Sequence, residues 1–119
     1  MKKELTKLSE TFPPFLKWGN YKSEDPENPD IIQIKAIETE TFETEFSINV
    51  LSLIKEKKSW VEFNIPLKSH ESKNASLLNQ WTQLNKKKKT KKGTRLQLKT
   101  WLGISKNSRK IRRYNLELI

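Results

Sequence analysis

Between residues 93 and 119 apolar and polar side chains change places at nearly every step. Leu96, Leu98, Thr100 and Leu102 share one parity, and Arg95, Gln97, Lys99 and Trp101 share the other. Successive strand residues point to opposite faces, so this run predicts a half-buried strand. A second run follows, with Tyr114, Leu116 and Leu118 on one face and Arg113, Asn115 and Glu117 on the other. The polar connection between them, Lys106, Asn107, Ser108, Arg109 and Lys110, completes the signature of a β-hairpin. Its open face carries cations and an indole. That face suits either phosphates with stacked bases or nothing beyond solubility.

Upstream the same period recurs. Ile32, Ile34 and Ala36 alternate with Gln33 and Lys35, predicting a first strand over 31–38. Residues 38–45 extend it and turn. Phe46, Ile48 and Val50 then alternate, after which Leu51 and Leu53 sit on the opposite parity. A slipped phase within one strand predicts a bulge or bend. After the turn at 55–58, a third strand spans 59–67. Val61, Phe63, Ile65 and Leu67 form one face, and Trp60, Glu62 and Asn64 the other. Pro66 removes a ladder donor and marks an edge or a strand end.

The period changes to helical at 74–86. Leu77, Leu78, Trp81 and Leu84 form a stripe, with Asn74 as the expected N-cap. Trp81 therefore reads as core. Six lysines in the seven residues 86–92 follow, a density of like charge that predicts a solvated loop. That loop would serve as an electrostatic arm or as a nuclear-import signal.

The first 30 residues show no such periodicity and predict an extended or partly disordered N-terminal arm ahead of a domain at 31–119. Within the arm, Phe12, Phe15 and Trp18 surround Pro13 and Pro14, which hold the chain extended. These aromatics either latch across one end of the fold or stack on a base. Residues 19–30 form an acidic loop.

Charge sharpens the picture. Residues 1–70 hold ten Lys/Arg against twelve Asp/Glu, net −2, whereas residues 71–119 hold fourteen against two, net +12. The cationic character belongs to the C-terminal part and points to a polyanionic partner, nucleic acid before others. No Cys is present, which excludes disulfides and thiolate chemistry. The lone His70 lacks any metal-ligand spacing, and neither a P-loop nor a GxGxxG occurs. The expectation is a binding protein without catalytic residues, cofactor or metal. No apolar run approaches the ~20 residues of a membrane span, and the N-terminus shows no signal-peptide core. This predicts an intracellular protein, whether cytoplasmic, nucleoid-associated or virus-encoded, with no membrane partner.

The order strand, strand, strand, helix, strand, strand resembles the OB-fold, a five-stranded barrel with one helix between strands three and four. The resemblance covers residues 31–119. The lead-in Pro13-Pro14-Phe15-Leu16-Lys17-Trp18 is similar to the opening of some phage, plasmid and archaeal single-stranded-DNA-binding proteins. It implies a face with Trp60 and Asn64 from the third strand, and Arg95, Lys99 and Trp101 from the fourth. Lys106, Arg109 and Lys110 come from the last loop, with Arg112 and Arg113 beyond it. Trp60 and Trp101 would stack on bases while the cations track phosphates. The acidic first hairpin, with Glu38, Glu40, Glu43 and Glu45, departs from that pattern. The function implied is binding of single-stranded DNA or RNA with low sequence specificity, in replication, recombination or repair. The alternatives are an RNA-binding or ribosome-associated protein, and a basic scaffold for an acidic protein. A free strand edge would allow a homodimer.

Overall fold

The computed structural model describes residues 13–87 and 91–119. The readings made of residues 1–11, of Phe12 and of the middle of the lysine run lie outside them. The fold is mainly β: β1 (Asp30–Ala36), β2 (Phe42–Glu43), β3 (Ser47–Glu56), β4 (Ser59–Ser69), the helix α1 (Ser76–Lys86), β5 (Arg95–Ile104) and β6 (Lys110–Leu118).

All pairings between these strands are antiparallel. β4 lies beside β3; β1 and β2 share the other edge of β3; β1 then pairs with β5, and β5 with β6. The sheet is open between β4 and β6. The five-stranded closed barrel is therefore corrected to an open sheet of six strands, with the helix between the fourth and fifth. Two elements fill the seam instead. The arm runs parallel to β4, where Leu16 N donates to Asn64 O (2.9 Å) and Asn64 N to Pro14 O (2.8 Å). Leu16 enters the core, and Trp18 rests its ring 5.1 Å from that of Tyr114 on β6 while its Nε1 donates to Pro66 O at 3.1 Å. Trp18 thus serves as a latch across the seam.

α1 packs against both β4 and β6. Its Leu77 and Trp81 are buried with Ile32, Ile34, Val50, Ile65, Leu96, Leu98 and Leu116. Gln80 covers the β6 edge as a neighbouring strand would: Nε2 donates to Tyr114 O (2.9 Å) and Oε1 accepts from Leu116 N (2.7 Å). Asn74, expected as the N-cap, stands one residue further out, since Ala75 is the cap. Its Oδ1 accepts from Ser76 N and its Nδ2 donates to Arg112 O (3.0 Å), tying the helix start to β6. The β6 edge is thus already bonded at three backbone groups. Gln80→Ala leaves two of them unsatisfied at a part-buried seam, and each such loss costs about 1–3 kcal/mol. Chemical denaturation should report that loss with little change in the denaturant slope.

The C-terminal hairpin forms over the anticipated residues, paired from Leu96 opposite Leu118 to Ile104 opposite Lys110. Leu96, Leu98 and Thr100 are buried. Gly93 turns the chain into β5 at φ +90°, a region glycine enters without steric cost, and its N–H donates to Ala36 O at 2.7 Å. The phase slip in β3 is present with a different content. Asn49 and Val50 are both buried, and the β3–β4 register shifts between Ile48 and Asn49. Phe46, expected to alternate inward, is 72 % exposed. Ser47 and Asn49 take the inward places and satisfy each other, with Ser47 Oγ to Asn49 Oδ1 at 2.7 Å and Asn49 Nδ2 to Ser47 O at 3.1 Å. A buried polar pair tolerates burial when its groups bond to one another.

Candidate nucleic-acid interface

β1, β3 and β5 send Ile32, Ile34, Val50, Ile54, Leu96 and Leu98 inward, so alternation sends their other side chains to the opposite face. At one end of that face Trp60 is half-buried at the start of β4. Lys35 Nζ stands 4.6 Å from its ring centroid, Lys55 Nζ 5.2 Å and the Arg95 guanidinium 5.7 Å. Four strands converge on this point because Lys55 is opposite Trp60, while Lys35 is opposite both Leu53 and Arg95. Among the described residues none of the three cations has a carboxylate partner.

The face continues along β5. Gln97 lies opposite Gln33 and Glu117, and Lys99 opposite Ile31 and Asn115. Lys99 pairs with Glu117 at 3.2 Å. Trp101 lies opposite Arg113. The Arg113 side chain crosses β5 at Gly103, where a Cβ would stand 3.2 Å from its Cγ and 3.3 Å from its Nε. Trp60 and Trp101 therefore mark opposite ends of one face. Arg95 and Trp101 are six residues apart on β5, about 20 Å at the rise of an extended strand.

The other anticipated residues are placed differently. Asn64 shares the parity of Trp60, yet the arm covers it: it is 2 % exposed and its Nδ2 donates to Pro13 O at 2.8 Å. Arg112 is a bolt rather than an open cation, donating from Nη1 to Thr100 Oγ1 (3.1 Å) and from Nη2 to Tyr21 O (2.6 Å). Lys110 pairs with Glu24 at 2.9 Å. Lys106 and Arg109 are exposed on the β5–β6 turn, where Ser108 adopts φ 59°.

Glu24 belongs to a loop fixed by its own polar groups. Ser23 Oγ donates to Asn28 O at 2.6 Å, and Ser23 N to Asp30 Oδ2 at 2.9 Å. The Asn28 side-chain amide holds the Asp25 carboxyl below its ordinary pKa. Leu102 N donates to Ser23 O at 2.8 Å and anchors this loop to β5. The acidic segment following β1 lies at another corner, where Glu38 and Glu40 line a depression with Pro13, Leu51 and Asn64. His70 sits 3.2 Å from Glu43 and 2.9 Å from Thr44 O, tethering the connection after β4 to β2. Among the described residues no three His, Asp or Glu side chains gather as a metal site requires, and no helix is long and apolar enough to cross a membrane.

Comparison of the chain with protein-family models, with curated proteins and with solved structures gave no match. Sequence reasoning had placed Trp60 and Arg95 on it without bringing them together, and had not included Lys35 or Lys55. Their alternation with buried residues was visible, but their meeting depends on which strands are neighbours.

A second concave surface lies at the seam between β4 and β6. It is a cleft of about 700 Å³ floored by Trp18, Pro66, Leu67, Ile111 and Tyr114. Burial pushes the Tyr114 hydroxyl above its ordinary pKa. A raised folded-state value favours the neutral form, so its contribution is intact below the unfolded pKa of about 10 and is lost as pH rises through the folded value. Tyr114→Phe should therefore lose less stability than the natural chain between neutral and strongly alkaline pH, as followed by denaturation midpoints.

Proposed function

We propose that this protein binds single-stranded nucleic acid, DNA in the first instance, with little sequence preference, in replication, recombination or repair. The observation that carries the reading is the convergence of Lys35, Lys55 and Arg95 on the half-buried Trp60 ring, with no carboxylate pairing any of them among the described residues. An indole flanked by flexible cations offers both things a single strand presents, a base to stack and phosphates to neutralise. Each cation released from the ring forfeits about 0.5–1 kcal/mol at an exposed site. Stacking of a base returns about 1–3 kcal/mol, and the released ammonium groups remain close enough to meet the flanking phosphates. Duplex DNA buries its bases and leaves the indole unused.

The strand would run from Trp60 along β5 past Lys99 to Trp101 and Arg113. On this reading the open sheet is an OB-like barrel whose closing seam is filled by α1 and the arm rather than by strand pairing. The depression lined by Glu38 and Glu40 includes no residue of β5 and neither Trp60 nor its three cations, which suits a phosphate path along β5.

Mobility shift with matched single-stranded and duplex probes tests the proposal. A retained single strand, with duplex a poor competitor and Trp fluorescence quenched by poly(dT), is the expected result. Equal retention of both probes would mark a polycation blind to bases, and no retention of either would remove nucleic acid as partner. A parallel RNA probe of the same sequence decides between DNA and RNA.

A further inference from the structure

The cleft between β4 and β6 joins an apolar floor to a cationic rim. Trp18 and Tyr114 meet edge to face at its base, beside Pro66 and Ile111. Lys68, Lys73, Arg109, Lys110 and Arg112 line its walls, and among the described residues no carboxylate does. Among the described residues the Lys73 ammonium and the Arg109 guanidinium have no hydrogen-bond or ion-pair partner, and Lys68 Nζ makes one bond, to Ser69 O at 3.2 Å. The remaining two are occupied: Arg112 by Thr100 and Tyr21, and Lys110 by the carboxylate of Glu24. An anion thus already sits against one rim cation from outside. The volume, about 700 Å³, falls within the 300–1,000 Å³ typical of ligand clefts.

An apolar floor under a basic rim selects a ligand that is flat and apolar at one end and multiply anionic at the other. A nucleotide has that form. We propose that this cleft is a nucleotide pocket, taking a base against the Trp18–Tyr114 floor and a terminal phosphate between Lys68, Lys73 and Arg109. The nucleotide comes either from the phosphorylated end of a strand or free from solution. The strand-end source rests on the single-strand reading of the open face; the free-nucleotide source does not. A terminal phosphate carries more charge than an internal diester and offers more acceptor oxygens, so unpaired Lys and Arg groups favour it.

Two measurements test the pocket. The first compares hexathymidine bearing a 5′- or 3′-phosphate with its dihydroxyl form, in competition against an internally labelled oligothymidine. The second titrates thymidine 5′-monophosphate alone, read by amide shifts at Lys73, Ile111 and Tyr114. Two double variants accompany both, Lys68→Ala with Lys73→Ala in the cleft, and Lys86→Ala with Lys87→Ala at the end of α1. A several-fold preference for a phosphorylated end, lost in the cleft variant and kept in the helix variant, supports a strand end. Cleft-confined shifts with the mononucleotide, lost in the same variant, support the free nucleotide. Equal loss of either signal in both double variants would reduce it to general charge and overturn the proposal. Absence of both signals would overturn it as well. If the hexamers bind without end preference and the mononucleotide is silent, the pocket fails while the open-face reading stands. If the mononucleotide binds and no oligonucleotide does, the reverse holds.

Discussion

Replacing Trp81 by alanine should lower the unfolding free energy by about 3–5 kcal/mol, the range for removing a large aromatic from a packed core. Trp81 is 2 % exposed on α1 and packs in the cluster that joins the helix to the sheet. Among the described residues no strand ladder closes the seam between β4 and β6, so the helix stripe supplies much of what holds those strands in place. The indole carries a further signature. Its Nε1 is buried with no hydrogen-bond partner among the described residues. An unsatisfied buried donor is itself destabilising, so Trp81→Phe, which keeps a ring and removes the donor, should cost far less than Trp81→Ala. Denaturant midpoints for the two variants give the comparison. A loss of oligonucleotide affinity at unchanged stability would instead make Trp81 a contact residue and move the interface to the helix.

Trp60→Ala should weaken binding to oligothymidine by about 1–3 kcal/mol, the range for a lost base stack, which is roughly 5- to 150-fold in Kd. Its effect on stability should be smaller than that of Trp81→Ala, because the ring is half-buried and rests among flexible cations rather than in the core. Trp101→Ala should behave similarly, being half-buried on the same face at the far end of β5. An oligonucleotide too short to span the ~20 Å from Arg95, beside Trp60, to Trp101 should respond to one substitution at a time. Fluorescence quenching should diminish in either variant. A variant at Trp60 that binds as the natural chain does would leave its ring as packing for Lys35 and Lys55 and nothing more.

The alternation that predicts the C-terminal hairpin was a sufficient guide to it, because neighbours in a hairpin are set by local register. Leu96, Leu98 and Thr100 fall inward for that reason. The helix stripe of Leu77 and Trp81 was equally plain. What the sequence could not display was any meeting of distant segments. Lys35, Lys55, Trp60 and Arg95 each show an outward parity, but their convergence requires β3 between β1 and β4 and β1 between β3 and β5. Asn64 has the parity of an open-face residue and is hidden because the arm lies over it. Arg112 carries the charge expected of a phosphate contact and spends it on Thr100 and Tyr21. The buried places of Ser47 and Asn49 run against hydropathy, since the pair is satisfied internally while Phe46 turns outward. Barrel closure was suggested by the order of elements. Order alone does not say that Gln80 and the Pro13–Leu16 segment bond the strand edges that closure would have joined.

Salt dependence on a single oligothymidine tests the central claim most directly. Five cations on the open face, Lys35, Lys55, Arg95, Lys99 and Arg113, with Lys99 already paired, imply roughly four to five neutralised phosphates. At about −0.7 per phosphate the slope of log K against log salt should be about −3 to −3.5. Removing Lys35 and Lys55 together should flatten it by about 1.4, while Trp60→Ala should lower affinity at every salt concentration and leave the slope nearly unchanged. That separation of charge from stacking is the predicted result. A slope unaltered by loss of the two lysines, or an affinity indifferent to loss of the indole, would contradict the account.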